Sequence, residues 1–101
     1  MKVQEMRELV QGLKNEGKLS NQMVEFVLDA KKYFASDIKA GTDTMAIQVT
    51  RDNYHPLSVS NFEESLNIAS GELEISVYQG TNQKSVTESY LTDSSLELVL
   101  G

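Results

Sequence analysis

Residues 19–39, LSNQMVEFVLDAKKYFASDIK, set the architecture expected for the rest of this 101-residue chain. On a helical wheel Leu19, Met23, Phe26, Val27, Ala30, Tyr33, Phe34 and Ile38 fall on one broad stripe, the roughly 3.6-residue period of an amphipathic helix. Val24 and Leu28 lie one turn apart on an adjacent face, with Ala35 nearby. Glu25, Asp29, Lys32 and Lys39 take the polar side. An apolar surface that wide touches two neighbours rather than one. Ser20 or Asn21 is suited to open the helix as its N-cap, and Gly41 to stop it.

Upstream, Val3, Met6, Val10 and Leu13 recur at helical spacing, with Leu9 widening the stripe. This predicts a first helix over about residues 2–15, ended by Asn15 and Gly17. Gly12 weakens it or lets a neighbouring backbone come close. So short a link makes the two helices antiparallel neighbours, and residues 1–40 read as a helical hairpin.

Downstream of Gly41 the period drops to two. In TMAIQVT, Met45, Ile47 and Val49 share one face and Thr44, Ala46, Gln48 and Thr50 the other. A turn at Asp52-Asn53 pairs Val49 with Leu57 and Ile47 with Val59, apolar against apolar. Residues 60–71 admit a short helix opened by Ser60 with Glu63. Register favours instead a hairpin turning at Ser70-Gly71, with Ile68 opposite Leu73 and Leu66 opposite Ile75. ELEISVY, 72–78, is the clearest strand. Gly80-Thr81-Asn82 is a turn, 84–91 reads as strand over helix, and Leu96, Leu98 and Leu100 alternate in a last strand. No internal repeat is visible. The expectation is one α+β domain over 1–101: the hairpin 1–40 packed on one face of an antiparallel β-meander of about five to six strands spanning 43–101.

Composition narrows function. With no cysteine there is no disulfide, thiol nucleophile or thiolate metal site. MKVQEMRELV has charges where a signal peptide needs an apolar run, so a cytoplasmic protein is expected. Charge is uneven: residues 41–101 hold nine Asp/Glu against Arg51 and Lys84, while residues 1–40 are nearly balanced. An acidic region of that kind disfavours nucleic acid and anionic membrane and suits a basic protein surface.

Motifs for catalysis, metals or nucleotides are missing from the sequence, so no catalytic residue, metal or cofactor is expected. His55, the one histidine, sits in a turn beside Pro56 with no partner placed for it. Glu72 and Glu74 share a strand face without anything to desolvate them. Glu63, Glu72, Glu74 and Glu88 are therefore read as contacts toward Lys/Arg of a partner, on the solvent face of the sheet. Small size, absence of cysteine and an acidic polar sheet resemble, as a class, phage and mobile-element proteins, among them inhibitors of nucleic-acid enzymes. The functional expectation is a non-enzymatic protein-binding module that inhibits or regulates a basic, nucleic-acid-processing partner. The alternative is a self-assembling structural or accessory protein, with Val3, Met6, Val10, Val24 and Leu28 meeting a second copy.

Overall fold

The computed structural model describes residues 1–19 and 21–101. The first helix forms as expected: α1 spans Val3–Asn15, with Val3, Met6 and Val10 fully buried. Glu5 reaches back to accept from the Lys2 N–H at 3.0 Å. Gly17, at φ 70°, turns the chain out of it. Space around Gly12 is open, so it admits no close backbone.

The helix expected over 19–39 does not form among the described residues. Residues 19–39 instead hold most of a hairpin of two strands, β1 (Met23–Leu28) and β2 (Lys31–Ala40). Val24, Phe26 and Leu28 alternate inward. Asp29 and Ala30 then reverse the chain in two residues, both in the left-handed region (φ 51° and 62°). The N-cap expected at Ser20 lies outside the described residues, and Asn21 begins no helix. Gly41 closes the next turn, donating its N–H to Thr44 O at 2.8 Å.

β3 (Thr44–Thr50) follows, as read from its alternation. Its partners are β2 and a later strand, not Leu57 and Val59. Residues 59–68 are helical, which overturns the hairpin at 70–71: α2 (Val59–Ile68) buries Val59, Phe62 and Leu66. Ser58, not Ser60, caps it, its Oγ accepting from the Asn61 N–H at 3.1 Å. Then come β4 (Glu74–Gln79), β5 (Asn82–Lys84), β6 (Val86–Leu91) and β7 (Ser95–Leu100).

Among the described residues the architecture is therefore mostly sheet: two helices, one of them short, and one mixed sheet of seven strands in the order β5-β4-β3-β2-β1-β7-β6. It is not a helical hairpin on an antiparallel meander. β1 pairs with β7, and β3 with β4, in parallel. The edge strands β5 and β6 are successive in the chain, with only Ser85 between them. A flat sheet cannot place its two edges one residue apart, so the sheet curls into a half-barrel. Ser85 and Gly101 exchange backbone hydrogen bonds at 3.2 and 3.0 Å across that junction. α1 and α2 lie against each other on the concave side, and one core runs through all of it.

A repeat of structure runs through this arrangement, although none is visible in the sequence. Taking β5 and β6 as one strand broken at Ser85, the order is αβββ twice. The strands correspond with a constant offset of 51 residues: 23–28 to 74–79, 31–40 to 82–91 (broken at Ser85), and 44–49 to 95–100. Pairings follow the same offset, as Phe26 with Tyr33 and Val77 with Lys84, or Ile38 with Ile47 and Ser89 with Leu98. Both β-bulges coincide, at Ser36 and Thr87, and both hydroxyls donate to a strand carbonyl at 3.3 Å, on Gln48 and Val99. The helices match with their own offset: Val3, Met6 and Val10 stand for Val59, Phe62 and Leu66. The two parallel strand pairs are the seams between halves.

Candidate interaction surface

Alternation within the strands assigns each residue to the packed inner face or the convex outer face. At the seam between β1 and β7, Val24 and Phe26 point inward beside Leu96 and Leu98. Glu25 and Glu97 are therefore neighbours on the outer face, as are Val27 and Val99. Lys32 on β2 and Glu88 and Tyr90 on β6 complete the patch by register.

Its electrostatics are specific. Lys32 Nζ stands 3.1 Å from Glu25 Oε2, and the Glu25 side chain is only 18% exposed. The Lys32 ammonium is held above its ordinary range by its hydrogen bond to Glu25, then by that carboxylate's charge, with a further contribution from Glu97. The Tyr90 hydroxyl donates to Glu88, which raises the phenol above its ordinary range, and the Glu88 charge adds to the effect. Tyr90 remains 53% exposed. The patch thus sets an exposed aromatic ring among carboxylates and the half-covered Val27 and Val99.

The second seam shows what the scaffold itself requires. At the positions equivalent to Glu25, Glu97 and Lys32 stand Ser76, Ala46 and Gln83. Gln83 Nε2 donates to Ser76 Oγ at 2.9 Å, a neutral copy of the Lys32–Glu25 pair. Where Tyr90 bonds Glu88, the other half has Lys39 at 3.6 Å from Asp37. One seam thus carries Glu25, Glu88 and Glu97 against Lys32; the other balances Asp37 with Lys39, and Glu74 with the N-terminal ammonium.

Of the four expected contact residues, only Glu88 belongs to this patch. Glu72, in the loop before β4, is 3.5 Å from Lys2 Nζ. Glu74 opens β4 and meets the N-terminal ammonium at 3.0 Å. Glu63 is on α2, 3.3 Å from Lys14 of α1, and so lies in the helix layer rather than on the sheet. The fold does not bring the four together. Val3, Met6 and Val10 are 0% exposed, and Val24 and Leu28 are also buried, so these five side chains are used inside the chain's own core.

His55 lines a shallow cavity of about 200 Å³ with Ala35, Ser36, Thr50, Asp52 and Tyr54. Among the described residues no three His, Asp or Glu side chains gather as metal ligands, and no helix is long and apolar enough to cross a membrane. Comparison with models of known protein families, with curated proteins and with solved structures gives no match.

Glu25, Glu97 and Tyr90 escaped the sequence reading. The signal for Glu25 was present in Val24-Glu25-Phe26-Val27-Leu28, a strand alternation once the helical period is set aside. Nothing local marks Glu97 as its neighbour, because 23–27 and 95–99 meet only through a long-range parallel pairing.

Proposed function

We propose that the protein is a non-enzymatic binding module that engages a basic protein surface through the outer face of β6, β7, β1 and β2. The observation that carries this reading is the asymmetry between the seams. Two adjacent carboxylates, Glu25 and Glu97, occupy one seam, while the equivalent positions of a fold-identical seam are Ser76 and Ala46. Adjacent like charges oppose folding, and the other seam needs none at these positions to form the same hydrogen bonds. A partner's Lys or Arg side chains would offset that repulsion on docking, with Glu88 and Glu97 standing in for phosphates if the partner is a nucleic-acid-processing protein.

The test is affinity capture from host lysate with washes at rising salt, followed by titration of the captured partner. Capture should weaken steeply with ionic strength. The double variant Glu88→Gln, Glu97→Gln should bind at least tenfold more weakly, whereas Glu72→Gln, Glu74→Gln should bind as the parent does. Binding that ignores both salt and the Glu88/Glu97 pair sinks the reading. Self-assembly through the helix stripes is not carried forward, since the residues meant for it lie in the core.

A further inference from the structure

The segment joining the halves is the feature that the binding reading leaves unused. Among the described residues the contacts between 1–50 and 57–101 are non-covalent: chiefly the two parallel seams, the packing of α1 on α2, and the ties at their ends. Those ties also obey the internal symmetry. Ile75 N–H donates to Met1 O at 2.8 Å as Val24 N–H donates to Leu57 O at 2.7 Å. Only residues 51–56 join the halves covalently, and all six are exposed. This segment contributes no strand or helix. What holds it is slight: Asp52 O accepts from Thr50 Oγ1 at 2.9 Å, and the Arg51 guanidinium lies 5.4 Å from the centre of the Tyr33 ring.

We propose that 1–50 and 57–101 are exchangeable modules, and that two copies of this chain trade halves through an opened 51–56 segment, forming a reciprocal dimer of two complete half-barrels. No new interface is required. Both seams, the helix pair and the Arg7 contacts to Leu66 O and Ala69 O re-form unchanged, with each half supplied by the other copy. The balance between closed monomer and exchanged dimer is then set by the linker. A short flexible tether presents the home half at an effective concentration on the order of millimolar, so the parent chain is mostly closed at ordinary concentrations. A linker too short to return home reverses this.

The experiment places a protease site in 52–55 of the 101-residue chain. Unlabelled and nitrogen-15-labelled proteins are purified whole, cut, mixed and followed by native mass spectrometry. The cut halves should stay together and, on standing, give complexes of mixed mass approaching the statistical share. In parallel, the uncut variant lacking Asp52–His55 should elute as a dimer by light scattering with the parent's circular dichroism, and an eight-residue Gly/Ser insertion should lower the dimer share. Cut halves that separate and unfold, or that never mix on warming toward the melting temperature, overturn the proposal. So does a deletion variant that is folded and monomeric. If that variant does not fold, the mixing of cut chains decides alone.

Discussion

The strand segments 23–50 and 74–101 form equivalent hydrogen-bond ladders, yet no residue in one is identical to its counterpart in the other. What they share is coarser. Val24 and Phe26 answer to Ile75 and Val77, and Met45, Ile47 and Val49 answer to Leu96, Leu98 and Leu100. The turns and bulges fall at the same places. Alternation and turn position, with helix stripes at matching spacing, are thus sufficient for this half of the fold, and side-chain identity is left free for other demands. That freedom lets the β1–β7 seam carry Glu25 and Glu97 where the β3–β4 seam has Ser76 and Ala46.

Truncation of the core tests that equivalence most severely. Phe26 and Phe62 are both fully buried, one in each half. Phe26→Ala and Phe62→Ala should each lose about 3–5 kcal/mol of unfolding free energy in urea titrations. If either costs under about 1 kcal/mol, that half is not part of the cooperative core.

A smaller difference separates the helix ends. Arg7 Nε donates to Leu66 O at 2.7 Å and Nη2 to Ala69 O, satisfying the last carbonyls of α2. The position on α2 equivalent to Arg7 is Glu63, paired with Lys14 nearer solvent. Arg7→Ala should therefore cost about 1.5–3 kcal/mol, and Glu63→Ala less than about 1 kcal/mol, in the same titration. Equal costs would show that the two helix ends are held alike.

The hairpin turns differ by less again. Ala30 and Gly80 both have positive φ, but only Ala30 carries the steric penalty of a Cβ there. Ala30→Gly should raise stability by about 0.5–1 kcal/mol, while Gly80→Ala should lower it by about 1 kcal/mol. A loss in both would mean that Ala30 makes contacts worth more than its strain.

The smallest effect is a pH signature. The Lys32 pKa is raised above its ordinary 10.5 in the folded chain. Its contribution is therefore fully present below 10.5 and fades as pH climbs through the higher folded value. Lys32→Gln, which copies the Gln83 side of the molecule, should flatten the loss of stability above that pH. Thermal melts between pH 9 and about 12 would reveal it, and an unchanged profile would assign the alkaline loss to other groups.

The same comparison explains what sequence could and could not disclose. α1, β3, β4 and β7 carry plain periodicity and were legible, and the 84–91 strand was chosen correctly on the propensities of Val, Thr and Tyr. The turn at Gly80 was read because glycine advertises positive φ; its twin at Asp29-Ala30 was hidden because neither residue does. Without that turn, Phe26, Tyr33 and Ile38 fit a helix wheel by coincidence. Residues 59–68 failed in the opposite sense. Val59, Phe62 and Leu66 hold helical spacing, but local register against 73–75 equally pairs Leu66 and Ile68 as strand. Ile68 is in fact 88% exposed, so it has no core partner to satisfy. Parallel seams lie beyond local reading altogether, because their partners are far apart in the chain.

The β1–β7 seam also bears on biosynthesis. Residues 23–27 are made before 95–99, so one edge of β1 stays unpaired until the β7 segment has followed it. An open edge carrying Met23, Val24, Phe26, Val27 and Leu28 invites pairing with another nascent strand. Glu25 in the middle of that edge, with Lys31 and Lys32 just after the turn, supplies charge that discourages such pairing. The carboxylate that burdens the finished seam thus protects the unfinished one.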